Sequence, residues 1–379
     1  MKFLIFIISF LSLFVAAVLL VIALTGCAPD AHAEIHLLWI PLDSGKPTSW
    51  ADTLKSDGDR LYAGKRDGLY ISDDDGFTWR ATALADSIGT IAISTDAIYA
   101  TAYGAERGMY RSDDRGETWN PIHNAMPTIT SVRVDGSEYE RSPYINQILP
   151  TNSGAIIAVG YNDGTYISDD RGETWHDPFG EWMYPGPKAP FVPDFSFSDS
   201  IWSMTEFDGY WWAVLSSGST AVLRTHNDGD TWEYVGGLAT LKGKWFGQVR
   251  DWTVLDDQLY VGCSKGFARR NQAEQGWEDL SRGLPPPYKY LVHPHHEIQV
   301  LAVNRNRIFA GLRNYGVWTF DEQAETWTPV GLGGLTVSGL VSHQSELYAV
   351  TRDGIFRAAI RTVIPHRKAA TTWGAVKTE

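Results

Sequence analysis

The chain has 379 residues, of which 13% are aromatic, 36 are glycine and only 20% are charged; 16 are tryptophan. That composition favours strands and turns over a helical bundle, and a repeat fold can occupy this length as a single unit. The formal charge is −13, with no long basic run before the C-terminal tail. A nucleic-acid partner is therefore not expected, because phosphate binding needs a concentrated positive face.

The first element is a targeting segment. After Met1-Lys2, residues 3–24 form an unbroken run of apolar or small residues that ends in Leu24-Thr25-Gly26-Cys27. This tetrad resembles a bacterial lipobox, which implies cleavage before Cys27 and lipidation of its thiol. Two other readings stay open. Ala31-His32-Ala33 has the form of an ordinary cleavage site, and the apolar run is long enough to span a bilayer uncleaved. Each reading places the rest of the chain outside the cytoplasm. If Cys27 carries lipid, Cys263 is left as a lone, buried and inert thiol, and no disulfide framework is available.

Internal repetition sets the architecture. Six tryptophans (Trp79, Trp119, Trp175, Trp232, Trp277, Trp327) each follow, by eleven residues, a glycine or alanine that opens a short strand: Gly68, Gly108, Gly164, Ala221, Gly266 and Gly316. Before each lies an alternating strand such as Arg60-Leu61-Tyr62-Ala63 or Gln258-Leu259-Tyr260-Val261, and before that an apolar segment such as Gly89-Thr90-Ile91-Ala92. Each unit is thus four short strands over some 40 to 57 residues, which reads as an all-β, seven-bladed β-propeller. The seventh unit starts at Val337, runs through Gly354-Ile355-Phe356 and lacks its tryptophan. Leu38-Trp39-Ile40-Pro41-Leu42 matches the outer strands of other units, so pairing the two ends of the chain would close the ring. A competing closure uses Thr371-Thr372-Trp373. The expected layout is a signal peptide over 1–26, a linker over 27–34, a propeller over 35–360 and a tail over 361–379.

Between the third and fourth strands recurs Ser/Thr-x-Asp-x-Gly-x-Thr-Trp. It is complete at Ser72, Asp74, Gly76, Thr78 and Trp79, at Ser112, Asp114, Gly116, Thr118 and Trp119, and at Ser168, Asp170, Gly172, Thr174 and Trp175. The fourth copy keeps Thr225, Gly229, Thr231 and Trp232 but has Asn227 for the aspartate. The fifth keeps little besides Trp277, and the sixth has Glu322 and Ala324 where Asp and Gly belong. A carboxylate that accepts backbone amides, followed by a glycine free to adopt positive φ, is turn chemistry. Catalytic carboxylates would not be copied around a ring, and the loop is too short for a helix-loop-helix calcium site. These motifs resemble the Asp-box, or BNR repeat, of the sialidase-like propellers.

The boxes mark one end of the ring, so binding is expected at the other. There the second-to-third-strand turns carry Lys65, Arg66, Tyr103, Arg107, Tyr161, Asn162, Lys265, Arg313, Asn314, Tyr315 and Arg352. Six cations (Lys65, Arg66, Arg107, Lys265, Arg313, Arg352) face four acids (Asp67, Glu106, Asp163, Asp353), a balance suited to an anionic ligand or an acidic partner surface. The alternative is that Asp67-Gly68, Asp163-Gly164 and Asp353-Gly354 are hairpin turns flanked by solvated cations. Long connections at 123–143, 176–199 and 281–296 add aromatic and proline residues, either as recognition loops or as packing. His293, His295 and His296 lie too close together on an extended segment to converge on one metal. No cofactor is expected, and the protein is expected to be a monomer.

The sialidase resemblance implies an Arg-Ile-Pro signature that this chain lacks; Val363-Ile364-Pro365 is the nearest string. No catalytic residue is therefore carried over. The layout of lipobox, single propeller and basic patch also resembles the photosystem II assembly factor family. The expectation is a membrane-tethered binding or assembly scaffold for a protein or glycan, with a glycan-active enzyme as its rival.

Overall fold

The computed structural model describes residues 34–42, 51–104, 107–132, 135–160, 163–177, 201–215, 221–226, 231–238, 246–271, 276–285 and 297–363. They divide into Leu37–Ile360 and a second unit, Met1–His36 with Arg361–Glu379, of which only strand ends are described. Cys27 and the targeting segment lie outside the described residues, as do Tyr161, Asn162, Gly229, the histidines 293, 295 and 296, and residues 371–373.

Leu37–Ile360 is a seven-bladed β-propeller. Blade 1 is β2 (Ala51–Ser56), β3 (Leu61–Lys65), β4 (Gly68–Ser72) and β5 (Arg80–Ala81). Blade 2 is β6 (Ile88–Ile93), β7 (Ile98–Ala102), β8 (Gly108–Ser112) and β9 (Asn120–Pro121). The connection that follows forms its own hairpin, β10 (Ile129–Val132) with β11 (Glu138–Arg141). Blade 3 is β12 (Ile145–Pro150), β13 (Ile156–Gly160) and β14 (Gly164–Ser168), with His176 bridging Ile167 in place of a fourth strand. Blade 4 is β15 (Ile201–Phe207), β16 (Tyr210–Leu215), β17 (Ala221–Thr225) and β18 (Glu233–Gly237). Blade 5 is β19 (Val249–Leu255), β20 (Gln258–Cys263), β21 (Gly266–Asn271) and β22 (Gly276–Asp279). Blade 6 is β23 (Ile298–Asn304), β24 (Arg307–Leu312), β25 (Gly316–Asp321) and β26 (Thr326–Gly331). Blade 7 is β27 (Val337–His343), β28 (Glu346–Thr351) and β29 (Gly354–Val363), completed by β1 (Glu34–Pro41) on the outer edge of β29.

The innermost strands β2, β6, β12, β15, β19, β23 and β27 each contact the next, and β27 contacts β2, so the ring is closed. Leu42 N donates to Ile355 O at 2.9 Å, and the Trp39 indole donates to Val330 O of blade 6 at 3.0 Å. The closing strand thus grips both the last blade and its neighbour.

The second strands depart from the alternation read in the sequence. β3, β7 and β13 are buried at every position, because each sheet is covered on both faces by neighbouring blades. The apolar clusters straddle blade pairs accordingly. Tyr62 and Leu69 pack with Ile98 and Tyr110, and Trp212 and Val222 pack with Trp252 and Trp277.

The Asp-box turns are fastened by one recurring set of bonds. In blade 2 the Ser112 hydroxyl donates to Asp114 Oδ1 (2.8 Å) and accepts the Gly116 amide (2.7 Å). Asp114 accepts the Thr118 amide (2.8 Å) and hydroxyl (2.6 Å). The same bonds recur at Ser72–Thr78 and Ser168–Thr174. Arg115 and Gly116 both take positive φ, 60° and 92°. Glycine is needed there for a second reason, since a Cβ on Gly116 would stand 2.6 Å from Ile71 Cδ1 of the preceding blade. The tryptophans divide: Trp175, Trp277 and Trp327 are buried, whereas Trp79, Trp119 and Trp232 are half-exposed.

Carboxylates on the first-to-second-strand turns latch two of these boxes to the preceding blade. Asp57 of blade 1 takes Arg115 of blade 2 at 2.7 Å, and Asp96 of blade 2 takes Arg171 of blade 3 at 3.1 Å. At the ring closure the polarity is reversed, with Asp75 of blade 1 facing His343 of blade 7 at 3.1 Å.

The threonine donors hold the Asp114 and Asp170 carboxyls down to about 2. An unfolded aspartate titrates near ~3.9, so these groups stabilise the fold above about pH 4, and that contribution is lost as pH falls toward 2. The Asp114→Asn/Asp170→Asn variant should therefore melt lower than the parent at pH 6 and show a flatter decline in Tm between about pH 4 and 2. A second expectation concerns closure. Trp39→Ala should cost about 2 kcal/mol in urea unfolding, and Trp39→Phe, which loses the hydrogen bond and the pyrrole ring's packing on Gly331 but keeps a six-membered ring, about 1 kcal/mol.

Candidate functional site

In every blade the innermost strand reads apolar-x-x-apolar at its start: Ala51…Leu54, Ile88…Ile91, Ile145…Ile148, Ile201…Met204, Val249…Trp252, Ile298…Leu301 and Val337…Leu340. An i, i+3 spacing cannot be met by a two-residue alternation, and each strand solves it with a bulge. The ladder shifts register between Ala51 and Thr53, Ile145 and Gln147, Ile201 and Ser203, Val249 and Asp251, and at the matching places in the other blades. A bulge leaves one residue out of the ladder and re-aims its side chain. The residues released include Asp52, Asn146, Trp202, Arg250, Gln299 and Ser338, a polar and aromatic set. Because Ala51 pairs with Lys65 and Val249 with Cys263, this ring of bulges lies at the same end as the second-to-third-strand turns. Ser72 pairs with Leu61, which puts the Asp-boxes at the opposite end.

The strongest cluster forms where blades 4, 5 and 6 meet at this mouth. The Trp202 indole donates to Val249 O at 2.8 Å, fixing its ring, and the Arg250 guanidinium lies 6.0 Å from the ring centroid. Arg250 Nε is buried without a hydrogen-bond partner among the described residues. Burial pushes the Arg250 pKa down, with Glu297 opposing and the like charge of Arg313 adding to the shift. Glu297 is 6% exposed, pairs with Arg313 Nε and accepts from the Gln299 amide at 3.4 Å. Backbone bonds lock the platform: Glu297 N to Ser264 O (2.9 Å), Arg313 N to Glu297 O (3.0 Å) and Lys265 N to Phe246 O (2.9 Å). One carboxylate against two guanidiniums leaves a net positive, partly dehydrated site beside an aromatic face. That arrangement can take an anionic group by charge-assisted hydrogen bonds and an apolar body by stacking.

A second cluster sits between blades 2 and 3. Tyr103 and Tyr144 stack with centroids 4.5 Å apart and planes 3° from parallel, and Arg107 lies 5.3 Å from the Tyr144 ring. The Tyr103 hydroxyl donates to Ile145 O, and burial raises its pKa to about 12. Asp163 is fully engaged: Arg141 grips it with bonds of 2.6 and 2.7 Å, and the Tyr144 amide adds a third of 2.6 Å.

The other rim residues serve several ends. Lys65 is 2% exposed, its ammonium 4.8 Å from the Tyr70 ring, and burial lowers its pKa to about 8 with Asp67 opposing. Lys265 is half-buried and its pKa is lowered by burial. Asn314 fastens a turn with φ of 62°, its amide donating to Thr336 Oγ1 at 3.0 Å. Tyr315 packs against the blade 5–6 cluster, and its carbonyl accepts the Trp318 indole at 2.9 Å. Arg66, Arg107 and Arg352 are exposed. Tyr144, Trp202, Arg250, Glu297 and Gln299 are absent from the turn-based set of site residues. The apolar-x-x-apolar spacing would have found Trp202, Arg250 and Gln299. No group of three or more His, Cys, Asp or Glu side chains suited to a metal occurs among the described residues.

The BNR/Asp-box repeat family model matches residues 110–121 and 166–177. A search of curated protein sequences finds no match. Among solved structures, YCF48 from Cyanidioschyzon merolae is similar with a TM-score of 0.56 at 13% identity, covering 84% of this chain and 98% of that one. YCF48 bound to D1 peptide matches with a TM-score of 0.57 at 13% identity, covering 86% and 97%. The GH74 xyloglucanase from Xanthomonas campestris gives a TM-score of 0.57 at 14% identity over 85% of this chain and 53% of that one. At these identities the likeness speaks to fold. The box bonds, the seven blades and the family match agree: this chain is a seven-bladed β-propeller that carries BNR/Asp-box repeats.

Proposed function

We propose that the protein is a binding module whose mouth captures an acidic, extended segment of a partner protein. The observation that carries this reading is Arg250: a half-buried guanidinium beside Trp202 whose Nε is enclosed without a hydrogen-bond partner among the described residues, at the ring of bulges. A buried charge is costly unless something pairs with it, and a ligand carboxylate would supply the missing acceptors. Arg313, Gln299 and the Tyr103–Tyr144–Arg107 stack extend the surface on which such a segment could lie. That a propeller of the same architecture, YCF48, has been seen with a peptide of D1 favours a protein partner. The mouth carboxylates favour binding over glycoside hydrolysis, since Glu297 and Asp163 are each held in an ion pair rather than opposed across a cleft. The apolar run and Leu24-Thr25-Gly26-Cys27 favour a lipid-anchored protein working on the outer side of a membrane.

Capture from a detergent-solubilised membrane extract tests the reading. Full-length protein should retain a discrete partner, and the Arg250→Gln variant, which leaves the Glu297–Arg313 pair intact, should lose it while keeping the parent Tm within a few degrees. Fluorescence polarisation with a labelled Asp/Glu-rich peptide should weaken in the same variant by about tenfold or more. Equal capture and equal peptide affinity in parent and variant would overturn the assignment of the mouth.

A further inference from the structure

The first three blades carry a buried serine four residues after the strand-opening glycine: Ser72, Ser112 and Ser168, each fully buried and fastening its box. In blade 5 the same position, four residues after Gly266, is Arg270. It is just as enclosed, at 5% exposure. A guanidinium has replaced a hydroxyl where the box is lost, and the interface between blades 4 and 5 has changed around it.

A cavity of about 340 Å³ opens there, lined by Tyr210, Trp212, Arg224, Glu233, Tyr234 and Arg270 among others. It lies toward the end of β15 and the turn into β16, on the Asp-box side and away from the bulge ring. Arg224 and Arg270 share the Trp212 ring, at 5.5 and 5.6 Å from its centroid. Arg224 also stacks on Tyr210 at 4.4 Å and pairs with Glu233 at 2.8 Å. Arg270 stacks on Trp277 at 5.8 Å and donates to the Gly276 carbonyl at 2.9 Å. Glu233 and Asp208 are the acids of the lining, but Glu233 is taken by Arg224 and, among the described residues, no carboxylate stands within ion-pair distance of Arg270. Burial and the like charge of Arg224 both push the Arg270 pKa down, against Glu233.

A second polar group nearby lacks a partner. The indoles of Trp79, Trp119, Trp175 and Trp327 donate to backbone carbonyls. Trp277, at the equivalent place in blade 5, is 7% exposed, and its Nε1 has no partner among the described residues. It packs edge-on against Trp212, which lines the cavity, with centroids 6.5 Å apart. One buried donor of this interface, Trp277 Nε1, is thus unsatisfied among the described residues, and the enclosed charge of Arg270 is answered there by a backbone carbonyl alone, beside an open volume of ligand size.

We propose that this cavity is a second binding site, for a small ring-bearing carboxylate. The carboxylate would sit between Arg224 and Arg270 as the missing counter-ion, and the ring would lie on the aromatic wall that ends in the partly exposed Tyr234. The fork of a guanidinium matches a carboxylate in two bonds, and its stacking on Trp212 holds it in place for that contact. The site shares no residue with the mouth, so the two assignments stand or fall separately.

Calorimetric titration and thermal melts of the full-length protein with benzoate and with glucuronate, against benzyl alcohol and glucose, provide the test. At least one acid should bind at one site per chain and raise the Tm, while the neutral compounds should not. The identity of the better acid tells an aromatic from a sugar ring. Arg224→Gln should weaken the binding by about tenfold, and Tyr234→Ala, at an exposed position, should weaken it without loss of fold. Arg250→Gln, at the mouth, should leave it unchanged. Failure of both acids to bind at about 10 mM, or binding undiminished in both cavity variants, would overturn the proposal.

Discussion

Each sheet in this protein has two apolar faces and only its neighbours to cover them. β3, β7 and β13 are buried at every position, so no blade could be stable alone, and the core is a series of layers between blades. Such an arrangement has no natural end: an open ring would leave one wet apolar face on the first blade and another on the last. Closure is therefore the condition for burial, and it rests on β1, a strand from one end of the chain, pairing with β29 from the other. The Trp39 bond to blade 6 and the Leu42 bond to Ile355 make that junction part of the sheet. A paired outer strand also removes an edge that would otherwise be open to another chain.

The two ends of the ring treat charge differently. On the Asp-box end, acids and arginines face each other across blades, as in Asp57 with Arg115 and Asp113 with Arg171. Most of these pairs are half-exposed, each worth little by itself, and their use is to fix how one turn sits against the next. At the mouth, exposed cations such as Arg66, Arg107 and Arg352 surround a few enclosed charges. Arg250 stands out because its Nε is enclosed beside Trp202 without an acceptor among the described residues. A fold held by apolar layers can carry such a cost at one place, and a ligand can offset it.

The blade 4–5 interface extends the same logic to the fastened end. Where the repeated box is intact, serine, aspartate and threonine satisfy one another and a glycine lets the neighbour approach. Where the box is absent, in blade 5, Arg270 stands in the buried serine position and bonds the Gly276 carbonyl, and Trp277 Nε1 lacks a partner among the described residues.

Much of this was legible in the sequence. The tryptophan–glycine spacing, the box and the outer-strand pattern of Leu38–Leu42 are local, and local patterns fix strand count, blade number and ring closure because propellers repeat one short unit. The position of the turns bearing Arg66, Arg107, Arg313 and Arg352 opposite the boxes is legible too, since strand order alone dictates it. What the sequence left open depends on contacts between blades. Lys65 reads as a rim cation, yet it is buried against Tyr70 because β3 is enclosed to its last residue. Asp163 reads as a turn residue, yet Arg141 reaches it from the β10–β11 hairpin. Whether Arg250 and Arg270 have partners was decided by side chains 40 to 60 residues away, brought near by blade packing, and periodicity cannot report that. The sequence by itself determined the ring and which of its ends is fastened; the tertiary structure decided which charges within it remain unanswered.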